Sequence, residues 1–233
     1  MKVYYQRIKV LGDNMNALYF VQINNFFNET NFYNLFYFLP PDQQKIINNF
    51  HFKIDRKIYL YSKILVNATI CKEGNLSSKE LTYSTNCYGK PFVNNFPDIH
   101  FNLSHTRNAV AVAILDKSVG VDVEKIRTAD LDIAQRCFTS QEYSYITETD
   151  IDYRFFEIWT KKEAYTKYIG KGLSIPLNSF NVLEKNLSNM FKTYLCDNYI
   201  ISICNSDIHK QIKFIELTEK DVMKLAIEFL LNI

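Results

Sequence analysis

Residues Val119 to Ile126, VGVDVEKI, carry valine at every second place and hold Gly120, Asp122 and Glu124 between them. Side chains along a strand alternate between faces, so this spacing turns three valines toward a core and sets the glycine and two carboxylates on the other side. No basic residue separates the two acids. The chain has 25 acidic against 27 basic residues, so the pair either lies on a solvated strand edge or meets a cation brought by another element.

The segment YRFFEIWTKKEAYTKYI, from Tyr153, supplies a candidate for that second element. Phe156, Trp159 and Glu163 recur at i, i+3 and i+7, and Lys167 follows one turn later, so they share one face of a helix that Gly170 ends. A helix packs such a face on a sheet, which brings Glu163 toward Asp122 and Glu124. Three convergent carboxylates suit a hard cation, and Mg2+ in particular takes a few carboxylates together with waters and phosphates. The alternative is an ordinary Glu163–Lys167 helix pair and an exposed acidic strand edge. No His or Cys cluster suits zinc.

Lysines beside glycine occur twice, in YGKP (Tyr88, Gly89, Lys90, Pro91) and in IGKGL after the helix, where backbone N–H groups can approach an anion. Neither is a Walker A loop. In NLSHT, Ser104 and His105 adjoin a strand end; without a nucleophile elbow, they read better as a phosphate-binding hydroxyl and imidazole than as a catalytic pair.

Around these motifs the chain alternates helices and strands. MKVYYQRIKVLGD reads as a first, alternating strand and lacks the apolar core of a signal peptide. NETNFYNLFYFLP suggests a capped helix, a polar helix begins at Asp42, and DRKIYLYSKILVNATI has helical spacing. IHFNLSH and AVAVAIL are extended, and AVAVAIL joins VGVDVE through DKS as a three-residue hairpin, which makes the two strands neighbours. LDIAQRCF and SQEYSYIT are short helices; FKTYL, YIISIC and IKFIEL are extended; a last helix starts at Asp221. Both halves are therefore mixed α and β, each with its own sheet.

With 233 residues, 47% of them hydrophobic, the chain can bury one large core or two small ones. A net charge of +2 argues against a nucleic-acid-coating protein. Five cysteines without a C-x-x-C pair fit a reducing cytosol. The longest apolar run, Ala109 to Leu115, is too short to cross a bilayer.

YGKP, FNLSH, VGVDVE, FTSQEY and WTKKEAYTKYIGKGLS stand in the order and approximate spacing of the Sfp-type 4'-phosphopantetheinyl transferases, which this chain resembles over nearly its whole length. The resemblance implies an α+β fold of two similar halves related by pseudo-twofold symmetry, each a small antiparallel-rich sheet packed with helices, divided here as residues 1–117 and 118–233. It implies transfer of the 4'-phosphopantetheine arm of coenzyme A to a serine of an apo carrier protein, with Mg2+, by a cytoplasmic monomer that needs neither nucleic acid nor membrane. Matched motif by motif, Asp122, Glu124 and Glu163 would hold the metal, Lys167 would contact the pyrophosphate and protonate the leaving phosphate, and Glu142 would deprotonate the serine, directly or through a metal-bound water. Gly89, Lys90 and Pro91 would form the adenine and phosphate loop, with Ser104 and His105 at the phosphates. Ile58 stands where the family has an arginine, and Gln43 and Ile46 where it has lysines, so Lys45, Arg56 and Lys57 become the candidates for the 3'-phosphate. A carrier-docking surface is expected near Phe138 to Tyr143. The competing readings are a Mg2+-dependent nuclease or phosphohydrolase and a non-catalytic carrier-binding module.

Overall fold

A computed structural model describes residues 15–231. The strand expected over residues 1–13 lies outside them. The first element is β1 (Ala17–Gln22), a strand that alternation does not predict because ALYFVQ shows none. Its run is apolar throughout because both faces are covered: Tyr19 and Val21 enter one core, Leu18 and Phe20 another.

Helix α1 (Glu29–Phe36) starts where the Asn28 side chain accepts a bond from the Asn31 N–H at 3.0 Å. Helix α2 (Pro41–Asn49) opens on a proline in its first turn. Helix α3 (Lys53–Gly74) runs 22 residues, longer than its periodic stretch, to a left-handed Asn75. A small ribbon, β2 (Tyr83–Thr85) with β3 (Pro91–Val93), precedes the hairpin of β4 (His100–Thr106) and β5 (Ala109–Leu115).

Beyond β6 (Gly120–Lys125) come α4 (Leu131–Cys137), α5 (Ser140–Glu148) and the long α6 (Ile151–Ile169). The short α7 (Lys185–Ser188) leads to β7 (Phe191–Cys196), β8 (Tyr199–Cys204), β9 (Lys213–Leu217) and α8 (Glu219–Leu230). The main sheet has the order β4-β5-β1-β9 and the second the order β6-β8-β7.

Two expectations are corrected here. The hairpin between AVAVAIL and VGVDVE does not form, because β5 already spends one edge on β4 and the other on β1. Strand β6 therefore starts a new sheet, antiparallel to β8. The division at residue 117 also fails at the far end: β9 pairs parallel to β1, and α8 adds Val222, Leu225 and Ala226 to the core of the first sheet.

The alternation of AVAVAIL has a different use from pairing. Val110, Val112 and Ile114 face the core under α3, whereas Ala109, Ala111 and Ala113 face Val119, Val121 and Val123 of β6. The small alanines let the second layer come close. Strand β6 then runs beside the free edge of β4 in the same direction, since Asn102 Oδ1 accepts from Val121 N–H at 2.8 Å, Ser104 meets Asp122 and Thr106 meets Glu124. On the opposite side α6 lies directly on Gly120: a β-carbon there would stand 1.9 Å from Ala164 O and 2.4 Å from Tyr168 N. Only glycine allows that approach. No described helix is long and apolar enough to cross a membrane.

Candidate active site

Where β4, β6 and α6 meet, three side chains lock together. The Lys167 ammonium donates to Asp122 Oδ1 at 2.7 Å and to Ser104 Oγ at 2.8 Å, and Ser104 Oγ donates to the same Asp122 oxygen at 2.8 Å. Asp122 is only 5% exposed, and its second oxygen, Oδ2, is buried without a hydrogen-bond partner among the described residues. Such an orphan acceptor is costly unless something else completes it.

Glu124, the next acid on that face, accepts from Thr106 Oγ1 at 3.1 Å and from Arg127 at 3.2 Å. Its pKa is raised, first by burial and then by Asp122, against the pull of Arg127 and Thr106. Glu163 on α6 is raised too, by burial and then by Asp122 and Glu124, with Lys167 opposing. The three carboxylates of the sequence reading thus face one another. As placed, no group of three His, Cys, Asp or Glu side chains among the described residues closes around a point at ligand distance. The donor chemistry nonetheless fits a hard dication: all oxygen, mutually repelling, one oxygen wholly unpartnered.

A groove leads away from this junction between α3 and β4. One arm, of about 680 Å³, is lined by Asp55, Ile58, Ser62, His105 and Thr106, among others, and a second, of about 600 Å³, by Gln43, Tyr83 and Pro91. His105 is held below the usual histidine range by burial first and by Lys167 second, against Asp122 and Asp55, so it is uncharged at neutral pH.

Several expected site residues stand elsewhere. Lys57 is 4% exposed, its ammonium bonded to Asn24 O, Phe26 O and Glu219 at 2.9 Å each. Arg56 turns back to Phe50 O, closing the end of α2, and Lys45 is exposed on α2. None of the three lines the groove. Lys63, which the sequence reading did not single out, lines both arms; its signal was its helical spacing from Asp55, Tyr59 and Asn67, i±4 neighbours along one face.

Glu142 stands away from the Asp122 junction. It is fully buried, ion-paired with the equally buried Lys162 at 2.8 Å, and it accepts from Thr139 N–H and Oγ1 and from Val182 N–H. A carboxylate so occupied cannot touch a substrate hydroxyl. The expected docking segment shares this interior: Phe138 packs on Phe155 and Trp159, leaving Ser140 and Gln141 exposed.

The YGKP turn is built around Asn86, whose side chain accepts from the Tyr88 and Lys90 N–H groups at 2.9 Å and donates to Gly170 O at 2.8 Å. Gly89 takes φ +87°. Lys90 reaches inward to Val119 O at 2.9 Å and Tyr168 O at 3.3 Å, and burial pushes its ammonium down to about 8. It ties the loop to β6 and α6, while Pro91 lines the groove.

Comparison with known proteins agrees over both halves. Residues 118–224 match the family model described as the 4'-phosphopantetheinyl transferase superfamily, and residues 28–116 match the one described as 4'-phosphopantetheinyl transferase, N-terminal. The 4'-phosphopantetheinyl transferase Sfp of Bacillus subtilis (strain 168) is 36% identical over 148 residues, which is 62% of this chain and 66% of that relative. The 4'-phosphopantetheinyl transferase ffp of Bacillus subtilis is 32% identical over 183 residues, 72% of this chain and 82% of the relative. The 4'-phosphopantetheinyl transferase gsp of Aneurinibacillus migulanus is 32% identical over 190 residues, 75% and 76% of the two chains.

Proposed function

This chain belongs to the 4'-phosphopantetheinyl transferase superfamily, and from that membership we propose that it moves the phosphopantetheine arm of coenzyme A onto a serine of an apo carrier protein, releasing adenosine 3',5'-bisphosphate. The observation that carries this reading is the Asp122–Ser104–Lys167 junction at the end of the α3–β4 groove. A groove lets a long ligand lie along it and present one polar linkage at its end, which is what a pyrophosphate in the middle of coenzyme A requires.

Asp122, Glu124 and Glu163 would hold Mg2+, which supplies positive charge against the pyrophosphate oxygens. Lys167 binds the same linkage. As the serine oxygen gives up its proton to solvent and bonds to the phosphorus next to pantetheine, the bond from that phosphorus to the bridging oxygen breaks, and Lys167 is placed to give a proton to the departing phosphate. Ser104 orients both Lys167 and Asp122, and uncharged His105 can donate one hydrogen bond to a phosphate without displacing the metal's charge balance. Glu142 and Lys162 do not meet substrate; they pin α5 to α6, and α6 carries Glu163 and Lys167.

The reading includes a monomer working in the cytosol, in keeping with five cysteines that are all free thiols. The test is to mix the pure protein with coenzyme A, Mg2+ and an apo carrier protein and weigh the carrier. One added phosphopantetheine per carrier is the expected product; no gain with acyl, peptidyl and polyketide carriers alike would overturn the assignment.

A further inference from the structure

Beneath α6, hydroxyl groups line up across the second sheet. Ser202 on β8 is the direct cross-strand partner of Asp122 on β6 and of Thr193 on β7, so the three side chains share the face that α6 covers. Thr160 of α6 comes down on Ser202: their hydroxyl oxygens are 2.8 Å apart, and Ser202 Oγ is 3.0 Å from Thr193 Oγ1. Thr160 also donates to Phe156 O, one turn back, at 2.8 Å. A hydroxyl has one hydrogen and a carbonyl only accepts, so the chain has one sense: Thr193 donates to Ser202, Ser202 to Thr160, and Thr160 to Phe156 O. Thr160 and Ser202 are both fully buried, where a hydroxyl left without a partner is costly.

Two contacts four residues apart, Thr160 on Ser202 and Ala164 on Gly120, hold one face of α6 against two strands. Their effects differ. Close packing at Gly120 sets how near the helix lies but resists sliding only weakly, whereas a hydrogen bond between two short side chains is directional and fixes the helix along its axis. Glu163 follows Thr160 by about 4.5 Å along that axis. Among the described residues no ion pair holds the Glu163 carboxylate, so its place follows the helix backbone. Mg2+ accepts oxygen ligands at about 2.1 Å in a nearly octahedral set, so a slide of a fraction of an ångström takes Glu163 away from a cation shared with Asp122 and Glu124.

We propose that Thr160 and Ser202 are positioning residues for the transfer site: their hydrogen bond sets the register of α6 over β8 and β6, and with it the affinity of Asp122, Glu124 and Glu163 for a divalent cation. The proposal rests on the transferase reading for the use made of that cation and on the hydroxyl chain for the rest. Neither residue touches substrate.

The test uses Mn2+, which takes the same oxygen ligands as Mg2+, and reads its binding from the loss of the free ion's paramagnetic resonance signal. The proteins are the full chain, Thr160→Val, Thr160→Ser, Ser202→Ala, the Thr160→Val/Ser202→Ala double variant and Thr69→Val. Valine keeps the shape of threonine and removes the hydroxyl. Thr69 is the control, a fully buried threonine whose hydroxyl likewise bonds back to its own helix, at 2.6 Å to Leu65 O, but on α3. Thr160→Val and Ser202→Ala each weaken Mn2+ binding about three- to tenfold, the scale of one buried hydrogen bond. Each raises the Mg2+ concentration for half-maximal transfer by the same factor and changes KM for coenzyme A less. Thr160→Ser restores both quantities, and the double variant binds Mn2+ no more weakly than the weaker single one, because both changes remove one bond. Thr69→Val binds Mn2+ as the unmodified chain does. Unchanged Mn2+ binding in folded Thr160→Val and Ser202→Ala, or an equal loss in Thr69→Val, overturns the positioning role. Thr160-dependent Mn2+ binding in a protein that modifies no carrier would overturn the transferase reading and leave the positioning role standing.

Discussion

Glu163 and Glu124 hold their protons more tightly in the folded chain than the ordinary value of 4.5, because burial and the Asp122 carboxylate both resist ionisation. A raised carboxyl pKa means the folded state binds more protons than the unfolded one, so stability falls as pH rises from 4.5 through the raised value. Glu163→Gln therefore melts at a higher temperature than the unmodified chain in metal-free buffer at pH 7. Added Mg2+ raises the midpoint of the unmodified chain and raises that of Glu163→Gln less. A lower melting point for the variant without metal would contradict the electrostatic reading. Glu142 makes the opposite case. Removing one partner from the buried Glu142–Lys162 pair leaves a stranded charge, and Glu142→Ala should lose about 3–5 kcal/mol in urea unfolding. A base that touched substrate would instead alter the pH profile of transfer and leave stability nearly intact. The sequence held a signal for this outcome: Thr139-x-x-Glu142 is a capping box, in which the glutamate bonds back to the helix start. Asp122 and Glu124 were legible from alternation alone, but Lys57 and Lys63 were not separable that way. Which lysine on α3 meets Glu219 and which meets the groove is decided by α8 and β4, distant in sequence.

Between elements, the controlling contact is α6 on β6 at Gly120, because Glu163 and Lys167 ride on that helix. Gly120→Ala forces the Ala164 and Tyr168 backbone away from β6, since no flexible side chain can yield there. The expected result is destabilisation by about 1–3 kcal/mol or more, read from thermal or urea melts, together with a loss of transfer greater than the fraction unfolded explains. Equal losses of fold and transfer would mean that the contact supports stability only. Periodicity revealed α6 and its cap at Gly170, where φ is +74°, and it revealed both strands of the β4–β5 hairpin. It failed at β1, whose two buried faces remove the alternation, and at the β5–β6 connection, where a short linker mimics a hairpin although both edges of β5 are occupied. Turn length says that two strands are close along the chain; it does not say whether an edge is free.

In the molecule as a whole, the groove belongs to the first sheet and α3, the acids to β6 and α6, and the two are joined by Ser104 to Asp122 and Thr106 to Glu124 across adjacent strands. Strand β9 and helix α8 return to the first sheet and reinforce the join, a connection that strand and helix patterns could not reveal because they carry no record of which sheet a strand enters. The order of motifs made the family readable from the sequence, whereas the far end of the substrate groove had to be read from packed side chains. The site converges on Asp122, whose one oxygen is shared by Ser104 and Lys167 and whose other is buried without a partner among the described residues. The most direct measurement is the rate at which Asp122→Ala, shown to be folded by circular dichroism, transfers phosphopantetheine from coenzyme A to an apo carrier protein in the presence of Mg2+. The unmodified chain is expected to load the carrier and this variant is not; a folded Asp122→Ala that loads the carrier at the unmodified rate would refute the role of Asp122 as the centre of the site.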